Sequence, residues 1–332
     1  MTNTIMEKEA RETPELIAAQ IKMNNDVVNK VAKHLRFIEP KMVMIIGRGS
    51  SDHAGVFAKY LIELESGIPT SSAAPSISSV YKKQLKLESA LVIVISQSGR
   101  SPDIIAQARM AKAGGAYCVA LVNEVNSPLV EIVDEVIPLG AGKEVAVAAT
   151  KSFLATLSAI IHLVSVWTEN RALYAALLEL PNALTRVINS GTQLMPSDFA
   201  QTTNMIVLSR GLGFSIAKEI ALKLKEVCSI YAEAFSSAEF PHGPITLAEN
   251  GLTVLNCIVE DESKGFHRGQ IYELMKRDTR IIYLDQAGID VHARLSPLLI
   301  LQRFYIDIAD VSIARGFHPD TPKGLNKVTQ TL

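Results

Sequence analysis

Cysteine is scarce in this sequence, with three residues in a chain of 332. Cys118, Cys228 and Cys257 lie far apart, and each is embedded in apolar sequence. This spacing fits neither a disulfide framework nor a cysteine-rich metal site, whereas buried free thiols are typical of a reducing compartment. We therefore expect no disulfide, no metal and a cytoplasmic location.

The sequence also lacks an excess of charge and a long apolar segment. Lys and Arg number 33 against 34 Asp and Glu, and no basic run is long enough to form a nucleic-acid surface. The start of the chain has no basic segment followed by an apolar one, which a secretory signal requires. The most apolar helical run, 153–167, is too short to span a bilayer. We expect no nucleic-acid or membrane partner, and 332 residues that are 48% hydrophobic suffice for two domain cores.

The most informative stretch that is present begins with the apolar run 91–95. Its sequence, Leu-Val-Ile-Val-Ile, predicts a strand buried on both faces. The loop 96–99 (Ser-Gln-Ser-Gly) follows at once, and Ser101 with Pro102 predicts the start of a helix. Serine hydroxyls at the positive end of a helix favour an anion, although a plain strand-to-helix turn is the simpler interpretation of one such loop.

A second loop of the same kind follows a predicted strand at 42–46 and contains the sequence Gly-Ser-Ser-Asp at 49–52. Ligands of doubly wound sheets bind beyond the carboxyl ends of the strands, and both loops are expected at such ends. Two serine-rich loops at this edge therefore predict an anion-binding site.

Strands and helices alternate along the chain, with strands predicted at 42–46, 70–73, 90–95, 116–122 and 135–138. This alternation predicts a doubly wound, mostly parallel sheet. A second alternating block begins at about residue 205, and Val-Leu-Ser-Arg-Gly at 207–211 matches Ile-Ile-Gly-Arg-Gly at 45–49, an offset of 162. The predicted organisation is a helical segment at 1–35, a domain at 36–170, a helical connection at 171–200, a second domain at 201–316 and a tail at 317–332.

The second copy differs from the first in its chemistry. Its loop at 258–263 is acidic and unsuited to an anion. Lys223 and Glu226 lie three residues apart on a predicted helix and so share one face, where a solvated ion pair is the simpler interpretation. His242 stands in a turn between two prolines. The tail shows no periodicity and by itself predicts a frayed terminus.

The motifs at 49–51, 96–99, 147–151, 221–226 and 239–244 occur in the same order as in a known family. Their sequences are Gly-Ser-Ser, Ser-Gln-Ser-Gly, Val-Ala-Ala-Thr-Lys, Ala-Leu-Lys-Leu-Lys-Glu and Glu-Phe-Pro-His-Gly-Pro. Together they resemble the tandem sugar isomerase (SIS) domains of the isomerase half of glucosamine-6-phosphate synthase. The resemblance implies an α/β fold of two SIS domains, each a doubly wound, mostly parallel sheet flanked by helices. It also implies a homodimer with a shared active site for a small-molecule sugar phosphate.

The same resemblance implies roles for individual residues. Glu226 would move a proton between C1 and C2 with Lys223 nearby, and His242, reaching in from the neighbouring subunit, would assist ring opening. Lys327 would form a Schiff base with the ketose, on a tail that folds over the site. The residues implied to hold the phosphate are Ser51, Ser96, Gln97, Ser98 and Ser101, and those implied to line the sugar are Ser50, Val147, Ala148 and Ala149. We expect no cofactor, because acid–base groups suffice for this chemistry.

The synthase hydrolyses glutamine with the first cysteine of a separate domain, and here no cysteine precedes Cys118. We therefore expect a glucosamine-6-phosphate deaminase, which converts glucosamine 6-phosphate and water to fructose 6-phosphate and ammonia. Three alternatives stay open: a fructosamine-6-phosphate deglycase, a plain phosphosugar ketose–aldose isomerase and a non-catalytic sugar-phosphate sensor. Arg100 and Pro241 depart from the synthase motifs and leave the exact substrate open.

Overall fold

The structure is a computed structural model that describes residues 4–325 and 327. It divides into two compact units, each containing one sheet. The sheet A unit comprises Glu15–Lys143, Ser152–Glu179 and Asn326–Leu332. The sheet B unit comprises Met1–Pro14, Glu144–Lys151 and Leu180–Leu325.

The elements alternate along both halves of the chain. The helices are α1 Ile5–Arg11, α2 Thr13–Ile38, α3 Ser50–Ser66, α4 Ser76–Ser79, α5 Pro102–Ala113, α6 Lys151–Trp167, α7 Arg171–Ile188, α8 Pro196–Phe199, α9 Gly213–Cys228, α10 Lys264–Leu274 and α11 Ser296–Ala314, with short 3-10 helices at Pro244–Glu249 and Ala293–Leu295. The strands are β1 Met42–Ile46, β2 Thr70–Ser72, β3 Ala90–Ser96, β4 Tyr117–Val122, β5 Glu135–Pro138, β6 Asn204–Ser209, β7 Tyr231–Ser236, β8 Leu252–Cys257 and β9 Thr279–Leu284. Over the described residues, no helix combines the length and the apolarity needed to cross a membrane.

Sheet A has the strand order β2-β1-β3-β4-β5, and all its pairings are parallel. The central strand β3 is buried along all seven residues, and its Ile93 pairs with Ile45 of β1 and Val119 of β4. A strand covered on both faces needs an apolar side chain at nearly every position, which explains the continuous run in the sequence. The predicted strands of this half are confirmed to within one residue at each end.

The core on one face of sheet A holds α5 against β3. Val92 and Val94 of β3 share this cluster with Ala108 and Ala111 of α5 and with Leu129, and all five side chains are buried. Burying a side chain of valine or leucine size stabilises the fold by about 1.5–3 kcal/mol relative to leaving it exposed. The loop 97–101 is therefore anchored at both ends by well-packed elements.

Sheet B repeats the arrangement of sheet A. Its strand order is β7-β6-β8-β9, again with parallel pairings. The offset of 162 that matches 45–49 to 207–211 also relates β4 to β9 and the first residue of β3 to the first residue of β8. The predicted fold class, two doubly wound parallel sheets flanked by helices, is confirmed.

Helix α3 begins at Ser50, immediately after Gly49. Two glycines permit this. Gly49 precedes the helix with a φ of +54°, which favours glycine. A Cβ at Gly47 would lie 2.8 Å from the backbone carbonyl of Ser51. The turn is tight enough to place Ser51 in the first turn of the helix.

Replacing Gly47 with alanine is expected to lower the free energy of unfolding by about 1–3 kcal/mol, because the added methyl group forces the start of α3 to shift. Urea denaturation followed by circular dichroism measures this. Gly265→Ala in α10 is the matched control, since its added Cβ meets no heavy atom within 4 Å. We expect the control to be neutral or slightly stabilising. Equal stability of the two variants would contradict the steric explanation.

Candidate active site

A cavity of about 620 Å³ lies at the carboxyl ends of β1 and β3 in the sheet A unit. We call it the serine cavity. It is lined by Arg48, Gly49, Ser51, Ile95, Ser96, Gln97, Ser98, Ser101, Asp103, Ile104 and Lys327. The lining contains all five residues predicted to hold a phosphate, together with Lys327 of the tail. Ser50, which was predicted to line the sugar, is not among the lining residues.

Hydrogen bonds from backbone amides to serine hydroxyls hold the loop 96–101. The Ser96 hydroxyl accepts a hydrogen bond from the amide of Gly99 at 3.0 Å, and the Ser98 hydroxyl accepts one from the amide of Arg100 at 3.3 Å. Gly99 has a φ of +61°, and a Cβ there would lie 2.1 Å from the Ser127 hydroxyl, so the loop requires glycine. The loop therefore keeps its serine hydroxyls in fixed positions at the start of α5.

An ion pair that sequence reasoning missed forms part of the same cavity. Arg48 Nε donates to Asp103 Oδ2 at 2.6 Å; the carboxylate is 1% exposed and the guanidinium side chain 48%. An unpaired carboxylate in the first turn of α5 would repel an anion, and the guanidinium offsets that charge. One signal was present in the sequence, because Arg48 lies in the Arg-Gly pair that both repeats contain.

Helix α9 of the sheet B unit carries the predicted acid–base pair. Lys223 Nζ lies 2.5 Å from Glu226 Oε2 and 3.3 Å from Glu219 Oε1. The lysine is 1% exposed, so the solvated ion pair was the wrong interpretation. Burial acts to lower the pKa of Lys223, but the two carboxylates outweigh it, and the pKa lies above its usual value. The structure thus holds a charged lysine between two carboxylates.

The segment 144–150, which contains the predicted sugar-lining residues, has no helix or strand but is held by hydrogen bonds within the sheet B unit. The buried carboxylate of Glu9 on α1 accepts from the amides of Val145 at 2.5 Å and Ala146 at 3.1 Å. Burial raises the pKa of Glu9 above its usual range, while both hydrogen bonds act to lower it. The amide of Val147 donates to the backbone carbonyl of Asp320 at 3.0 Å. Ala148 is buried, whereas Val147 and Ala149 are half-buried.

Asp320 joins the tail to α1 in the same unit. Its carboxylate accepts from the amides of Ile5 at 2.9 Å and Met6 at 2.8 Å, at the N-terminus of the helix. A carboxylate there satisfies amides that have no partner within the helix and interacts favourably with the helix dipole. The described part of the tail is therefore fixed at Asp320, contrary to the frayed terminus that the lack of periodicity suggested.

His242 is exposed and lies in the turn before the 3-10 helix Pro244–Glu249. Its amide donates to the carbonyl of Glu239 at 3.0 Å, which closes the turn. The homodimer and the role of His242 in a neighbouring subunit stay predictions.

The three cysteines are free and buried, as expected. Burial raises the pKa of Cys118 to about 12. Among residues 4–325 and 327, no cluster of three His, Cys, Asp or Glu side chains is arranged to hold a metal ion.

Comparison with known proteins places these features in a family. The SIS domain model matches residues 36–166. The glutamine–fructose-6-phosphate aminotransferase (isomerizing) of Sulfurisphaera tokodaii is 30% identical over 97% of this chain and 56% of its own length. The chain spans about half the length of the curated relatives it matches.

Two solved structures are similar over nearly their whole length. A protein of Silicibacter pomeroyi assigned as a phosphosugar isomerase is 34% identical, with a TM-score of 0.90 over 96% of this chain and 100% of that one. The C-terminal domain of glucosamine–fructose-6-phosphate aminotransferase from Francisella tularensis is 25% identical, with a TM-score of 0.82 over 97% and 99%. The chain belongs to the SIS domain family, and its homologues include the isomerase part of these aminotransferases.

Glu9→Ala is expected to speed amide hydrogen exchange at Val145 and Ala146 at least tenfold, because both amides lose an acceptor worth about 1–3 kcal/mol. Hydrogen–deuterium exchange resolved to single residues measures this. Glu15→Ala is the control, since Glu15 is an exposed carboxylate on the neighbouring helix α2. Unchanged exchange at both amides in Glu9→Ala would contradict the anchoring role.

Proposed function

We propose that this chain is a phosphosugar isomerase that acts on an amino sugar and deaminates glucosamine 6-phosphate to fructose 6-phosphate and ammonia. The observation that carries the proposal is the Lys223–Glu226 pair. A buried ammonium lies 2.5 Å from a carboxylate whose side chain keeps 15% of its surface exposed. A carboxylate partly withdrawn from water, with a cation in reach, is suited to accept and return a proton.

The serine cavity is suited to the phosphate. Serine hydroxyls and the N-terminus of α5 provide donors, and Arg48 and Lys327 provide positive charge. A phosphate held away from the reacting carbons orients the sugar and contributes binding energy to the chemical step. The family resemblance adds a proposed role for Lys327 as the Schiff-base lysine.

The proposed reaction starts by opening the sugar ring, with His242 moving a proton to the ring oxygen. Glu226 then takes the proton from C2, the electron pair of that bond forms the double bond between C1 and C2, and the C1 oxygen takes a proton from the ammonium group of the substrate, which gives the enaminol. Glu226 returns its proton to C1, and the electron pair of the double bond is replaced by a bond from the nitrogen, which leaves fructosimine 6-phosphate in its protonated form. Water adds to C2, and the nitrogen leaves as ammonia. Lys223 stabilises the negative charge that develops on the C1 oxygen.

The choice of an amino sugar is supported by the curated relatives. Their name joins isomerisation of fructose 6-phosphate to the transfer of an amino group. This chain carries out both the isomerisation and the chemistry at the amino group, in the direction that releases the amine.

The direct test supplies glucosamine 6-phosphate to the purified chain and measures ammonium and fructose 6-phosphate with separate coupled enzymes. We expect equal amounts of both products. Interconversion of fructose 6-phosphate and glucose 6-phosphate without ammonium release would contradict deamination and favour a plain isomerase. A parallel assay with a fructosamine 6-phosphate of an amino acid tests the deglycase alternative.

Glu226→Gln is expected to lower kcat at least a thousandfold and leave KM within about threefold, because the amide keeps the shape of the side chain but cannot carry the proton. Steady-state kinetics with glucosamine 6-phosphate measure this. Glu273→Gln is the matched control, since Glu273 also pairs with a lysine three residues away, Lys276, but is 55% exposed. Normal turnover by Glu226→Gln would exclude this residue as the proton carrier.

Ser98→Ala is expected to weaken the binding of fructose 6-phosphate about tenfold, because one hydrogen bond to a charged phosphate is lost. Isothermal titration calorimetry measures the Kd. Ser66→Ala is the control. Ser66 is the last residue of α3 and does not line the serine cavity, and its hydroxyl donates to the carbonyl of Ile62. If both variants bound the sugar phosphate equally well, the serine cavity would not be the phosphate site.

A further inference from the structure

The sheet B unit contains a cavity of about 370 Å³ at the carboxyl ends of β8 and β9. We call it the tyrosine cavity, after Tyr272 and Tyr283 in its lining. We propose that this cavity binds an unphosphorylated sugar. Sequence reasoning assigned no ligand to this part of the chain, and the proposal does not depend on the reaction proposed for Glu226.

The two copies of the repeat use the same loop positions to line a cavity. Ser96 and Ser98 line the serine cavity. At the offset of 162, Ile258 and Glu260 line the tyrosine cavity. Ligands of doubly wound sheets bind beyond the carboxyl ends of the strands, so both cavities lie where the fold favours binding. Because an isoleucine and a glutamate replace the two serines, the second cavity suits a different ligand.

The charges of the tyrosine cavity balance. Its lining contains two carboxylates, Glu260 and Asp285, and two cations, Lys264 and Arg268. Lys264 Nζ lies 2.5 Å from Glu260 Oε2. The lining of the serine cavity, in contrast, has one cation more than it has carboxylates. A phosphate brought beside two carboxylates would be repelled, so the tyrosine cavity favours a ligand without net charge.

Asn256 provides a fixed donor at the end of β8. Its side chain is buried, and its Oδ1 lies 2.7 Å from Nε2 of the buried His267 on α10. Burial, followed by the charge of Arg210, lowers the pKa of His267 to about 4, so the imidazole is neutral at pH 7. An amide oxygen can only accept, so Nε2 donates to it and fixes the orientation of the amide. The amide nitrogen of Asn256 is then the group that can donate to a ligand.

Asp285 provides a fixed acceptor in the residue after β9. Its Oδ1 accepts from the amide of Ala287 at 2.7 Å and from the side-chain amide of Gln193 at 3.2 Å. These bonds hold the carboxylate in place. Its second oxygen, Oδ2, can accept from a ligand that offers a hydroxyl group.

Apolar and aromatic side chains form the rest of the lining. Ile271 and Tyr272 of α10 lie on the same face of the helix as Met275, which follows its last turn. Tyr272 is 62% exposed, and Tyr283 of β9 is 46% exposed. Exposed tyrosines beside fixed polar groups are typical of ligand sites, because the rings offer flat apolar surface.

This set of groups matches a sugar. The carboxylates only accept hydrogen bonds, whereas the amide nitrogen of Asn256 and the guanidinium of Arg268 only donate. A matching ligand therefore carries donors and acceptors around its edge, together with an apolar face for the tyrosines. A hexose has a hydroxyl group, which is both donor and acceptor, on nearly every carbon, and its C–H groups form apolar faces. A nucleobase offers fewer donors to two carboxylates.

The test titrates the full chain, labelled at the methyl groups of isoleucine and methionine, with glucose and with N-acetylglucosamine. Ile258, Ile271 and Met275 line the tyrosine cavity, and Ile95 and Ile104 line the serine cavity. We expect saturable shifts of the first three methyl resonances at sugar concentrations that leave the other two in place. Shifts confined to Ile95 and Ile104, or no shift at any of the five, would overturn the proposal. The titration involves no turnover, so failure of the proposed deaminase reaction would not affect it.

Adenosine and inorganic phosphate test the class of ligand. We expect both to bind at least tenfold more weakly than the better of the two sugars, as judged from the same three methyl resonances. Tighter binding of adenosine would replace the sugar with a nucleoside, and tighter binding of phosphate would show an anion site. Either result would overturn the proposal.

Two variants test the lining directly. Tyr272→Ala is expected to weaken sugar binding about fivefold through loss of ring contact, and Asn256→Ala about tenfold through loss of a hydrogen bond. Tyr231→Ala is the matched control, since Tyr231 is a 70% exposed tyrosine of β7 that does not line the cavity. Should Asn256→Ala fail to fold, Tyr272→Ala still decides, because its side chain is exposed. Equal affinity of Tyr272→Ala and Tyr231→Ala for the sugar would overturn the proposal.

Discussion

A charge taken out of water must be compensated where it lies, and this constraint organises the functional features of both units. Lys223 is buried between Glu219 and Glu226. In the other unit, the buried carboxylate of Asp103 is matched by the guanidinium of Arg48 at the rim of the serine cavity. One member of each pair still contacts solvent: the Glu226 carboxylate in the first pair and the Arg48 guanidinium in the second. The buried member of each pair is thus compensated without both charges being removed from water.

The parts of the fold that the sequence predicted well depend on local pattern. An apolar run such as 91–95 defines a strand, and the serine-rich loop after it defines the edge of the sheet at which the cavity lies. Lys223 and Glu226 could be paired by their helical spacing alone, although their burial could not, because it depends on packing against α11. Individual hydrogen bonds between residues far apart in the sequence were not predicted. Glu219 and Tyr305 are 86 positions apart, and Met6 and Asp320 are 314 apart, so neither pairing has a signature in the local sequence.

The two copies show how one architecture was adapted to different chemistry. The offset of 162 holds through β1, β3, β4 and their partners, so the framework of strands and helices was preserved without net insertion. The two copies differ in chemistry at the carboxyl ends of the strands, where ligands of such sheets bind. There, the first copy has serines and a glycine at 96–99, whereas the second has an acidic loop whose Asp261 accepts from the hydroxyl and amide of Ser263. Because these donors already bind a carboxylate of the same loop, they are not offered to an anion.

The contact between Asp320 and the first turn of α1 has a consequence for how this sequence can vary. Both oxygens of the carboxylate are occupied by main-chain donors, from Ile5 and Met6, so those two positions cannot become proline while an acidic residue stands at 320. Substitutions near the two ends of the chain should thus covary among homologues. A shortened chain that starts beyond Met6 would lose both donors at once and leave a carboxylate, now 6% exposed, without its helix.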